Sequence, residues 1–159
     1  MTRWIGVGLA AVLALAPCVA SAQSAGGHAA LALAAIVGTY SPRLTAAQKA
    51  VLAHYLASKP NLDAHAPSIQ VNSASITCGA SDVDITRFFC DMKIGTAPSI
   101  HLTGRAANEL YATLGDAGVQ DDGAAGAIYR AITVLHCVLI PSDIANEGGA
   151  GATCTYTPA

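Results

Sequence analysis

Three things that carry function in many proteins are scarce in this chain: charge, aromatic rings and closely spaced cysteines. Only 11% of its 159 residues are charged, and the eight Lys and Arg are scattered against ten Asp and Glu. Nucleic-acid binding draws its affinity from neutralised phosphates, so a weakly acidic chain without a basic cluster excludes that class of partner. Aromatic residues make up 5%, and the single tryptophan, Trp4, lies near the N-terminus. Platforms that stack bases or sugars need such rings. A membrane-spanning helix needs roughly 20 apolar residues. Beyond the first 22 residues the longest apolar run, Ala29 to Val37, falls well short of that.

What is present begins with an export leader. Met1-Thr2-Arg3 gives a positive start, Ile5 to Ala16 is continuously apolar, and Ala20-Ser21-Ala22 is the small-x-small pattern of a cleavage site. Residues 1–22 are therefore expected to be removed. A lipid anchor on Cys18 fits poorly, because Pro17 precedes it. Residues 23–159 are enough for one domain. They keep seven Lys and Arg once Arg3 is gone, against ten Asp and Glu, a formal charge of −3. The expected location is the periplasm or the extracellular space, with no transmembrane segment after cleavage.

Cleavage also removes Cys18, leaving Cys78, Cys90, Cys137 and Cys154. An even set in a small exported domain reads as a disulfide framework. Structural zinc favours close pairs, whereas the gaps here are eleven, forty-six and sixteen residues. Strand parity chooses among the three connectivities. Ala74, Ile76 and Cys78 alternate with Ser75 and Thr77; Phe88, Cys90, Met92 and Ile94 alternate with Phe89, Asp91 and Lys93. Both patterns are those of half-buried strands. Folded antiparallel across residues 79–84, they set Cys78 opposite Cys90 and Ile76 opposite Met92. That register satisfies sulfurs and core together. Cys137 then pairs with Cys154, each bridge adding about 3 kcal/mol in the loop-entropy model.

Elsewhere, Thr45-Ala46-Ala47-Gln48 has the form of a capping box, opening a helix with Ala47, Val51, Leu52, Tyr55 and Leu56 on one stripe and Pro60 beyond its end. Ile69 to Cys78 reads as one long or bent strand, with a bulge near Asn72 or Ser73 where burial parity switches. A turn at Gly95 to Pro98 leads to a strand over 99–103. A second helix follows over about 105–114, with Ala107, Leu110, Tyr111 and Leu114 at helical spacing and Gly115 or Gly118 as its stop. Ile128 to Ile140 reads as a central strand covered on both faces, and 152–157 as a threonine-lined closing strand. The expected fold is α+β: an antiparallel sheet of about five strands, two helices on one face and two disulfides. Residues 44–159 form this domain, and 23–43 are expected to be a flexible or loosely packed N-terminal segment.

Candidate chemistry is thin. No serine sits in a Gly-x-Ser-x-Gly elbow. His136 adjoins Cys137 on an apolar strand and reads as a hydrogen-bonded core or edge histidine; His101 lies on the polar side of its strand and reads as an isolated, solvent-facing imidazole. His54 and His65 have no metal-site spacing. Asp82, Asp84, Asp121 and Asp122 sit in loops where aspartate is a natural turn residue, and no twelve-residue calcium loop surrounds them. Gly123 to Gly126 lacks the Lys and Ser/Thr of a phosphate loop, so no cofactor is expected. Loops on a stapled scaffold are natural binding sites. The expectation is an exported, non-enzymatic domain that binds a protein or small ligand through loops carrying Asp82, Asp84, Asp121, Asp122 and Glu147. The alternatives are a small hydrolase or metal-dependent enzyme using His101 or His136 with nearby aspartates, and a structural envelope protein associating through residues 29–37.

Overall fold

The computed structural model describes residues 21–58, 68–81, 84–123, 128–140 and 151–159. In chain order the elements are β1 (Gln23–Gly26), α1 (Gly27–Tyr40), α2 (Ala46–Ser58), β2 (Ile69–Ser73), β3 (Ser75–Ser81), β4 (Asp84–Lys93), β5 (Ile100–Thr103), α3 (Gly104–Asp116), β6 (Tyr129–Leu139) and β7 (Ala152–Pro158). Seven strands form one antiparallel sheet ordered β1-β7-β6-β3-β4-β5, with β2 joined to β6 in line with β3. The α+β class and both disulfides, Cys78–Cys90 and Cys137–Cys154, are as the sequence implies. The sheet has two more strands, and its helical layer one more helix, than the residue pattern announces.

The hairpin register is the expected one: Cys78 faces Cys90 and Ile76 faces Met92. Cys137 faces Cys154 in the same way across β6 and β7. All four cysteines are fully buried on the helix side of the sheet. Each bridge underlies a helix. The Cys90 sulfur lies 3.4 Å from the Ala107 carbonyl oxygen of α3, and the Cys154 sulfur 3.3 Å from the Ala30 carbonyl oxygen of α1.

Residues 23–43, expected to be a flexible or loosely packed segment, instead supply an edge strand and a largely buried helix. Gln23–Gly26 pairs with β7 as an edge strand. In α1, Ala30, Leu31, Leu33, Ala34, Ala35 and Val37 have no exposed surface. The helix packs on β7, β6 and β2 while α2 and α3 flank it. The stripe that stays partly exposed, through Ala32 and Ile36, is as apolar as the buried faces, so the residue pattern shows no period. Of residues 29–37, Ala29, Ala32 and Ile36 keep part of their surface exposed and the other six are buried.

Local signals elsewhere behave as read. The Thr45 amide donates to Gln48 Oε1 at 2.9 Å and the Gln48 amide to Thr45 Oγ1 at 3.3 Å, a closed capping box for α2. Leu52 is buried beneath it, while the side chains of Tyr55 and Leu56 are outside the described residues. Helix α3 buries Ala107, Leu110 and Leu114. It ends where the Gly118 amide bonds the Gly115 carbonyl and the Val119 amide bonds that of Leu114, at 2.8 and 3.0 Å, with Gly118 at φ +89°. The bulge falls one or two residues later than expected. Ser75 pairs with Lys93, and the Ala74 amide donates to the same Lys93 carbonyl at 2.8 Å, so two residues face one. Ser73 Oγ adds a third bond within this kink, to Lys93 O at 2.9 Å.

Strand β6 is central but covered on one face only. Helices pack against the inward residues Ile132, Leu135, Cys137 and Leu139. On the other face Val134 is 55% exposed and His136 is exposed. The apolar outward positions of β6 had suggested a second covering layer; among the described residues no element lies there. Nor, among these residues, is any helix long and apolar enough to cross a membrane.

If α1 is core, Leu33→Ala should lower unfolding free energy by about 2–5 kcal/mol, measured by urea denaturation of the oxidised domain. A loosely packed segment would show almost no change.

Candidate functional site

The open face of the sheet carries both histidines singled out from sequence. In β5, His101 points away from the helices, and the register sets it directly opposite Asp91 of β4. Its Nδ1 lies 2.8 Å from Asp91 Oδ1, with both side chains more than half exposed. His101 is therefore solvent-facing, as expected, but not isolated. The Phe89 ring lies 6.3 Å from the imidazole, and Thr77 of β3 faces Asp91 from its other side. In a nucleophilic triad the base stands between nucleophile and acid. Here the acid stands in the middle, so this row does not form that arrangement.

His136 sits in a second row, Ser24–Thr155–His136–Asn72, crossing β1, β7, β6 and β2. All four residues are exposed. Its Nδ1 is in close contact with Asn72 Oδ1. His136 is thus hydrogen-bonded, as expected, but exposed in a strip of polar side chains and not in the core. Between the two histidines lie three strand steps and about five residues along the strands, roughly 20 Å at ordinary sheet spacings. They cannot act on one ligand atom. Among the described residues no cluster of three or more His, Cys, Asp or Glu is placed to hold a metal.

Asp121 and Asp122 occupy the segment after α3, which is pinned at two points. Asp122 exchanges backbone bonds with Tyr129 at 2.8 and 3.3 Å. Asp121 accepts from Arg130 Nε at 2.7 Å, Arg130 Nη2 at 3.2 Å and the Tyr111 hydroxyl at 2.5 Å. Arg130 also donates to the Tyr111 carbonyl at 3.2 Å, and its guanidinium lies 4.5 Å from the centre of the Tyr111 ring. The Arg130 side chain is 19% exposed. A two-pronged, partly desolvated pair of this kind is a strong charge-assisted contact. The hydrogen bonds from Arg130, then from Tyr111, hold the Asp121 carboxyl below the usual range. Burial, then the bond to Asp121, raises the Tyr111 hydroxyl. Beside this cluster lies a concavity of about 510 Å³ bordered by Gln23, Gln120, Asp121, Asp122 and Tyr129.

Asp121 therefore fastens the loop to β6 rather than standing free in it. Asp82 and Glu147 lie outside the described residues, as does the side chain of Asp84. Sequence reasoning missed Asp91 and Arg130. The first was legible, since the Cys78–Cys90 register fixes which outward residues meet. The second carried no local signal. No family model, curated protein or solved structure matches this chain.

Gly115 exists for Arg130: a Cβ built on it would lie 1.5 Å from Arg130 Nη1. Gly115→Ala should destabilise the native chain, yet stabilise the Arg130→Ala background by about 0.5–1 kcal/mol, the ordinary helical preference for alanine. A thermal-melt double-mutant cycle reads this reversal of sign. The acid response follows from the same pair. Because the folded pKa of Asp121 lies below its unfolded value of about 3.9, its stabilisation is complete above that value and drains as pH falls through the folded one. Arg130→Ala should flatten that part of the acid limb in melts recorded from pH 5 to 2.

Proposed function

We propose that this chain is an exported, non-enzymatic binding domain, working in the periplasm or outside the cell on a protein or small ligand. The observation that carries the reading is the pair of buried cross-strand disulfides beneath the helices. Such bridges persist in oxidising compartments, and they hold rigid a sheet whose helices all pack on one side. Rigidity lowers the entropic cost of binding. The best-made ionic contact described, Asp121 with Arg130, serves the scaffold, and the register sets the nearby hydroxyl residue Thr77 opposite Asp91 and not opposite His101. A second reading, general acid–base chemistry by His101, draws on its 2.8 Å contact with Asp91. It predicts that His101→Ala abolishes any hydrolase activity found for the protein.

Two measurements test the binding reading. Intact mass of the exported protein should lack residues 1–22 and be four hydrogens lighter than the reduced chain; free thiols at Cys78, Cys90, Cys137 or Cys154 would end it. Photo-crosslinkers placed in the host at Thr133 and Thr155, on the open sheet face, should give a discrete adduct that probes at Arg105 and Ala112 on the helical side do not. Equal yields from both sides would refute a directed contact surface.

A further inference from the structure

Among the described residues, one edge of the sheet has no strand beside it. Strand β2 bonds to β6, and among the described residues nothing pairs with its far edge. Its in-line neighbour β3 does have a partner there, β4, which ends at Lys93 before the chain turns at Gly95. The direction of the free backbone groups follows from the disulfide. The Cα atoms of Cys137 and Cys154 are 4.0 Å apart, the close spacing of a non-hydrogen-bonded pair. Cys137 therefore turns its N–H and C=O to the other side, toward Val71. By alternation, Gln70 and Asn72 direct theirs to that far edge. The Ala74 amide, next in that series, does point to this side and reaches Lys93.

The edge is furnished at both ends. Beside Ile69 is an apolar concavity of about 290 Å³, walled by Ala47, Gln48 and Val51 of α2. Beside Ser73 and Ala74 is a second of about 170 Å³, bordered by Ile94, Gly95 and Arg43. Arg43 is exposed, and the chain gives it no ion-pair or hydrogen-bond partner among the described residues. Exposed edges are usually blunted by charge, proline or cover. This one is flanked by a helix, an apolar hollow and the exposed guanidinium of Arg43.

We propose that the β2 edge is a peptide-binding site that takes an extended acidic segment of a partner protein as an added strand. Backbone bonds to Gln70 and Asn72 supply affinity, and alternate side chains supply selectivity. An apolar side chain fills the hollow at Ile69. A carboxylate four residues along, the spacing from Ile69 to Ser73, meets Arg43. The inference rests on the binding-domain reading and gives it a partner.

The test uses the oxidised mature chain and the synthetic peptide acetyl-Thr-Leu-Thr-Val-Thr-Glu-Thr-amide. Saturable amide shifts and slowed exchange at Gln70 and Asn72 are expected. Replacing the central Val by Pro should abolish them. Replacing Glu by Lys, or making Arg43→Glu, should weaken binding about tenfold, and the two changes together should restore it. Shifts confined to other strands, or none, would overturn the site. So would edge amides already protected in the free chain. Protection that grows with protein concentration without peptide would assign the edge to a second copy instead. If these arms fail while crosslinks from Thr133 and Thr155 succeed, the domain still binds, but elsewhere.

Discussion

A covalent bond between two directly opposed strand positions cannot be kept if the strands slide. That constraint governs this molecule. A slip of one residue would exchange the faces of every side chain on the moving strand, and the bridges Cys78–Cys90 and Cys137–Cys154 forbid it in two places. Both sulfur pairs lie on the helix side, so they also decide which face is interior. Ile76, Met92, Ile132 and Leu135 then fall under α1 and α3, and His101, Asp91, His136 and Thr155 face outward. The core is rich in alanine and holds few rings, so dispersion contacts per residue are modest. Covalent register does for this sheet what large interlocking side chains do elsewhere.

How much could be read in advance depended on whether the signal was local. The hairpin, the capping box of Thr45 and Gln48, and the stop at Gly118 are set by residues within a few positions of one another, and the residue pattern carried them. Helix α1 failed for a different reason. Periodicity reports a contrast between apolar and polar faces, and in α1 the partly exposed positions Ala32 and Ile36 are as apolar as the buried ones. Strand β1 is only four residues long, and Ala25 is its one buried side chain. The open face of β6 was misjudged because Val134 and Val138 look like core from composition alone. The network of Tyr111, Asp121 and Arg130 joins a helix, a loop and a strand, and only the finished topology brings them together.

The two sides of the sheet divide the work. One is buried against helices and closed by sulfur; the other is a polar surface of threonine, histidine and asparagine, broken by Phe89, Tyr129 and Val134. Charge plays a small part, and the best-made ion pair, between Asp121 and Arg130, is given to fastening the segment after α3. Its carboxylate has little left to offer a ligand. The backbone edge of β2 is different: among the described residues no strand pairs with its far side.

Strand β1 is the first described element and pairs with β7, the last: Gln23 faces Tyr156, and the Tyr156 hydroxyl reaches both Gln23 and the Ala117 carbonyl. The most apolar helix follows β1 immediately, and it rests on β7. In synthesis the helix α1 is thus made well before β7, the strand it rests on. Until β7 is made, α1 lacks part of the surface that covers it, and an apolar segment left uncovered is prone to association with like segments.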